Sequence, residues 1–361
     1  MKITLQKTTE SRLATVDFSH LPFGKIKSDH MFVVDYYDGA WQDARIVPFG
    51  PIPLSPATSA LHYGQAIFEG MKAHLNEDGT PLLFRPQDNL KRMNDSARRM
   101  CMPELPEALF MDGLSQLVAL DREWIPQAEG NSLYIRPFMF ATDDSVGVKV
   151  SESYCFIIFC SPVSPYYSQP LRIKVAERYV RAFDGGIGSA KAAGNYGASM
   201  LPTKEANNEG FQQVMWMDGK EFKYIEETGT TNVFFVVGNK VLTPSLDGSI
   251  LDGITRRSCI TLLRESGMEV EERRVSIDEI IEAQNNGTLK EAFCTGTAAN
   301  IAHIELFQHK GLNYILPSLD ERPVGNYLGE TLQAIKCGKI ADIHDWIVPV
   351  HNDVLEPESA F

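Results

Sequence analysis

Ten residues near the middle of the chain, Ser161-Pro162-Val163-Ser164-Pro165-Tyr166-Tyr167-Ser168-Gln169-Pro170, form its densest run of proline and serine. Proline lacks the backbone N–H and fixes φ, so such a run fits neither a helix nor the interior of a sheet. It splits the chain into two halves that must each build a core, which 361 residues with 43% apolar content allow. We place the domain boundary in this run.

The first half mixes strands and helices. Residues 31–37 and 44–47 read as a hairpin that turns at Asp38-Gly39. The segment 59–73 starts helical and ends as a strand, and 82–85 is another strand. Asp88 or Asn89 then caps a helix with Leu90, Met93, Ala97 and Met100 at helical spacing. Lys91, Arg92, Arg98 and Arg99 form its basic, solvated face. Residues 114–124 read as an amphipathic helix. The strand 132–140 alternates so that Tyr134 and Arg136 share a face. Strands dominate the second half without regular alternation with helices, which disfavours a doubly wound sheet and gives an α/β chain of the α+β type.

Within that second half, Gly185-Gly186-Ile187-Gly188-Ser189-Ala190-Lys191-Ala192-Ala193-Gly194-Asn195-Tyr196-Gly197 surrounds one lysine with small residues. A lysine is a nucleophile near neutrality only where its ammonium form is disfavoured, and small neighbours let a flat, bulky group lie against it. Pyridoxal phosphate is such a group, and it needs an acid at its ring nitrogen and a cradle for its phosphate. Glu227, before an apolar strand, supplies a candidate acid, with Glu226 beside it expected to face solvent. The helix opening at Gly253-Ile254-Thr255 and the turn Gly296-Thr297-Ala298 supply backbone N–H groups and hydroxyls for an anion.

The runs Leu61-His62-Tyr63-Gly64-Gln65-Ala66-Ile67-Phe68-Glu69-Gly70-Met71-Lys72-Ala73, Lys191-Ala192-Ala193-Gly194-Asn195-Tyr196-Gly197, Glu227-Thr228-Gly229-Thr230-Thr231-Asn232, Gly253-Ile254-Thr255-Arg256 and Gly296-Thr297-Ala298 closely resemble the branched-chain amino-acid aminotransferases. These are fold-type IV enzymes that use pyridoxal 5'-phosphate. The resemblance implies a smaller α/β domain over residues 1–164, a linker over 165–175, a larger pseudo-barrel domain over 176–361 and a cofactor between them. It implies Lys191 as the Schiff-base and proton-transfer lysine, Tyr196 at the ring hydroxyl, Glu227 at the ring nitrogen, and Arg92, Thr230, Ile254, Thr255 and Thr297 as further cofactor contacts. Phe23, Tyr63, Phe68, Tyr134, Arg136, Tyr166, Thr230, Thr297 and Ala298 match substrate-pocket positions. The implied reaction moves the amino group of leucine, isoleucine or valine to 2-oxoglutarate in a homodimer with shared active sites. Two readings of the same fold stay open, a D-amino-acid aminotransferase and an aminodeoxychorismate lyase, as does a non-catalytic cofactor carrier. D-specific relatives carry Arg-x-His where this chain has Arg136-Pro137-Phe138, and a carrier needs no aromatic pocket.

Composition narrows the partners. A net charge of −13 argues against nucleic acid and anionic membranes. No window approaches the ~18 apolar residues of a membrane span, and the N-terminus lacks an apolar targeting segment, so a cytoplasmic enzyme is expected. The six cysteines form no C-x-x-C pair and lie mostly in apolar runs, which favours reduced thiols and no metal. Mammalian members of the family place Cys-x-x-Cys just after the Gly-Thr-Ala turn; this chain has Ala299-Asn300-Ile301-Ala302, so no thiol switch is expected there.

Overall fold

A computed structural model describes residues 1–351. The chain divides into two compact units, Met1–Tyr166 together with the segment from Gln333 onward, and Tyr167–Leu332. The break falls in the proline- and serine-rich run. Leu171–Val175, within the linker bounds that the resemblance implies, is a strand of the second unit's sheet, paired on both sides. The C-terminal segment also departs from the sequence reading: Ile347–Pro349 pairs antiparallel with Pro81–Phe84, which ties it to the first unit.

The first unit is built on a nine-stranded sheet whose longest partners are Ser132–Ala141 and Tyr154–Val163. His30–Tyr37 and Ala40–Pro48 form the expected hairpin, with Asp38 and Gly39 at positive φ in its turn. Two helices cover this sheet's apolar side. Pro86–Arg99 starts two residues earlier than its expected caps because Pro86 stands in its first turn, where a missing N–H costs nothing. Its basic face is solvated except at Arg92, which is buried. The second helix spans Glu107–Leu120, and a 3-10 turn over Arg122–Trp124 follows. It begins earlier than the pattern suggests because Gly113, a poor helix residue, is required there: a Cβ would run into the ring of Phe32.

The second unit holds a ten-stranded sheet with edge strands Glu269–Glu272 and Val275–Ser276. Only Arg273 and Arg274 separate those edges in sequence. Two edges joined by two residues require the sheet to curl back on itself, which is the pseudo-barrel the resemblance implies. Its core includes Trp216, Phe235, Phe307, Ile173 and Met215. Ser276 caps the helix Ile277–Asn285 through a reciprocal box with Glu279.

Candidate active site

Lys191 lies in a loop fixed by its own backbone. The buried amide of Asn195 donates from Nδ2 to the carbonyls of Ile187 and Ala190, each at 2.9 Å, and Ser189 N–H reaches Gly248 O at 3.1 Å. Gly188 has no room for a side chain, because a Cβ would collide with Ser249 O. The chain then enters the helix Gly194–Asn208, which carries Tyr196. Lys191 Nζ donates to Tyr196 Oη at 3.1 Å.

Glu227 is the next-to-last residue of the strand Tyr224–Thr228 and is 4% exposed. Its Oε1 accepts from Leu251 N–H at 2.9 Å and from Asn232 Nδ2 at 3.3 Å, while Arg181 Nη2 stands 2.8 Å from its Oε2. Buried, ion-paired and hydrogen-bonded on both oxygens, it is built to remain charged. Glu227, Tyr196 and Thr230 line one small cleft with Arg181 and Gly188.

The two motifs expected to bind an anion are tied to this carboxylate. Asn232 also donates to Leu251 O at 2.9 Å, and Gly253 packs so tightly on the Asn232 amide that a Cβ would overlap it. Gly253 is the N-cap of the helix Ile254–Glu265, whose first turn holds no acidic residue and receives no side-chain cap. Its leading N–H groups therefore suit an anion. On the other side Asn232 pairs in register with Thr295, where a hairpin turn carries Gly296, Thr297 and Ala298. Thr297 and Ala298 are half-buried, whereas Ile254 and Thr255 are buried.

The predicted substrate residues belong to the first unit, apart from Thr230, Thr297 and Ala298. The Arg136 guanidinium lies over the rings of Phe68, at 4.6 Å, and Tyr134, at 5.3 Å, and its Nη2 donates to Tyr134 Oη at 2.9 Å. Phe23 packs edge-on against Tyr134 at 4.9 Å and against Tyr166 at 4.8 Å. Gly70 makes the space for the Tyr134 hydroxyl, which a Cβ there would strike. Arg136 Nε is buried with no hydrogen-bond partner, and no carboxylate of the described residues pairs with this guanidinium. Tyr63 makes its contacts elsewhere: its hydroxyl donates to Val146 O, and its ring is partly exposed. Arg92 donates from Nε and Nη2 to Glu69, each at 2.8 Å, and Asn89 holds the same carboxylate at 2.7 Å.

One expectation is overturned. Glu226, expected to face solvent, is 6% exposed and bonded to Ser249. A curled sheet covered by the 247–251 loop buries both faces of this strand, so neighbouring carboxylates point to opposite sides and neither reaches water. Sequence reasoning also passed over Arg181, Asn232 and Asn195. Only Asn195 and Asn232 sat within recognised motifs; Arg181 is one of several arginines in an unremarkable polar stretch. Among the described residues, no cluster of His, Cys, Asp or Glu could hold a metal, and no helix is long and apolar enough to cross a membrane.

Residues 66–307 match the Amino-transferase class IV family. The chain is 47% identical over 339 residues to branched-chain-amino-acid transaminase 1 of Bacillus subtilis, covering 92% of this chain and 95% of that one. It is 44% identical over 346 residues to branched-chain-amino-acid aminotransferase 2 of the same organism, covering 95% of each. Among solved structures, the branched-chain aminotransferase of Thermoproteus uzoniensis with norvaline superposes with a TM-score of 0.75 at 25% identity, covering 89% of this chain and 100% of that one. The chain belongs to the class IV aminotransferases, in the branched-chain-amino-acid aminotransferase family.

Proposed function

We propose that this enzyme transfers the amino group of leucine, isoleucine or valine to 2-oxoglutarate, using pyridoxal 5'-phosphate. The observation that carries the reading is the pairing of Lys191 Nζ with Tyr196 Oη in the unit that also holds the anchored carboxylate of Glu227. Lys191 would bind the cofactor covalently. Tyr196, Glu227, Thr230, Ile254, Thr255, Thr297 and Arg92 would hold it. When bound, the cofactor supplies an electron sink for the bond broken at the amino acid's α-carbon. The chain's own part is to orient and to move protons. Lys191 Nζ takes the α-proton and returns it, with Tyr196 Oη within hydrogen-bond reach to hold the amine in place. Glu227, kept ionised by Arg181 and Leu251 N–H, favours a proton on the group opposite it.

The aromatic cluster of Phe23, Phe68, Tyr134 and Tyr166 suits a branched alkyl side chain, and Arg136 at its centre suits the side-chain carboxylate of glutamate. Amino acids and 2-oxo acids are thus the substrates, and no nucleic acid or membrane partner is assigned. A homodimer is supported by exposed apolar side chains on the first unit, Leu61, Val146, Val148 and Val150, with Tyr63 bonded to the backbone of Val146. The test is the visible spectrum of the purified enzyme. L-leucine should bleach the cofactor band and 2-oxoglutarate should restore it; a response to D-alanine instead of L-leucine would move the enzyme to the D-specific group.

A further inference from the structure

Glu226 and Glu227 are neighbours on one strand, yet their surroundings differ in kind. Glu226 Oε1 lies 2.7 Å from Ser249 Oγ, and its Oε2 is buried without a hydrogen-bond partner. Ser249 Oγ also lies 2.9 Å from Asp247 Oδ1. A serine hydroxyl carries a single proton and cannot donate to two carboxylates at once. If it serves Asp247, the short contact to Glu226 is a hydrogen bond only when Glu226 is the donor. If it serves Glu226, Asp247 and Ser249 meet lone pair to lone pair. Asp247 is exposed and can be hydrated as an anion, whereas Glu226 cannot, so the extra proton belongs on Glu226. Burial acts in the same direction and pushes this carboxyl up to about 7.

We propose that Glu226 is a positioning residue that works as a neutral acid, leaving the Arg181 guanidinium to Glu227 alone. The proposal rests on the reading of Glu227 as the group that faces the cofactor's ring nitrogen. Ser249 is the joint between the two carboxyls: its hydroxyl meets Glu226, and its carbonyl accepts from Arg181 Nη2 at 2.5 Å, the same nitrogen that holds Glu227. The charged groups near Glu226 are Arg181, Asp247 and Glu227. Asp218, Tyr224 and Arg274 line the small cavity on its side. Asp218 is committed to the backbone N–H groups of its own turn, and Arg274 stacks on Tyr224 at 3.9 Å, so Arg181 is the cation that an ionised Glu226 would draw on. Its buried Nε has no partner, so the guanidinium has a donor to turn toward a second anion. Loss of the Glu226 proton would thus set two carboxylates competing for one guanidinium and weaken its hold on Glu227.

Glu226→Gln keeps the shape of the neutral acid and removes the proton that can be lost. A carboxyl whose folded pKa lies above its unfolded value makes folding less favourable as pH rises between the two, here from about 4.5 to about 7. The unfolding midpoint of the holoenzyme should therefore shift in favour of E226Q, relative to the parent, across that window. The ratio of E226Q to parent kcat/KM for leucine should rise by roughly threefold or more between about pH 6 and about pH 8. A midpoint difference that stays flat with pH means that Glu226 is ionised throughout and overturns the proposal. A changing midpoint difference with a flat kcat/KM ratio overturns the positioning role. Should E226Q fail to fold, the infrared spectrum of the parent decides: a buried protonated-carboxyl band must fade across the same window, and its absence below neutrality overturns the proposal. Glu227→Gln tests the underlying reading separately. Parent-like turnover in that variant would remove the Glu227 role while leaving the midpoint result for Glu226 intact.

Discussion

Arg136 in the first unit and Glu227 in the second are both charges set among apolar or aromatic neighbours, but they are satisfied to different degrees. Glu227 has a guanidinium on one oxygen and a backbone N–H with a side-chain amide on the other. Arg136 has two ring faces, one hydroxyl and a buried Nε without a partner. A fully paired buried ion is a fixed part of the fold; an ion held by ring faces keeps donors available for a carboxylate that arrives from outside. In the proposed function, that difference separates the group assigned to the cofactor's ring nitrogen from the one assigned to reading the substrate.

The largest effect should come from breaking the fixed pair. Glu227→Gln leaves Arg181 as a buried cation without its carboxylate, so unfolding free energy should fall by about 3 to 5 kcal/mol. Both half-reactions should slow by about a hundredfold or more, since a preorganised charge in the site is lost. Denaturant unfolding and single-turnover rates check the two parts, and equal rates in variant and parent would show that the wrong acid has been chosen. Arg136→Met should do the opposite. Its stability should change by no more than about 2 kcal/mol, the scale of the cation–π contacts it loses. The kcat/KM values for glutamate and 2-oxoglutarate should fall by the equivalent of about 2 to 5 kcal/mol of transition-state stabilisation, and leucine should be affected far less. A parallel fall for leucine and glutamate would make Arg136 a structural residue and erase the contrast.

The comparison also marks what a sequence can reveal. Lys191, Tyr196, Glu227, Gly253 and Gly296 stand out because their motifs need small residues where backbones approach closely, and the clashes expected of a Cβ at Gly188 and Gly253 show that need directly. Tyr134 and Arg136 were legible as one strand face, and their side chains are bonded. The burial of Glu226 was not legible, because period-two alternation places one of two adjacent residues in water only when one face of the sheet is open. The strand Ile347–Pro349 was equally hidden: three residues that include a proline carry no pattern, and only their pairing with Pro81–Phe84 defines them.

The smallest effect concerns the thiols. Burial pushes Cys155 and Cys160 far up and Cys294 up to about 12, whereas Cys101 is exposed. A mild alkylating agent or dilute peroxide should therefore modify Cys101 first, with little loss of activity, and peptide mapping should find no oxidation at residues 299–302. Reversible inactivation that maps to Cys294 would show that this buried strand opens more readily than its packing implies.

The account depends most on Lys191 as the cofactor's point of attachment. Borohydride reduction of the purified enzyme followed by peptide mass mapping measures this directly. The account predicts one phosphopyridoxyl group per chain, on the peptide that contains Lys191, and neither label nor turnover in Lys191→Ala. A label on a different lysine, or a Lys191→Ala variant that turns over leucine without added amine, would contradict it.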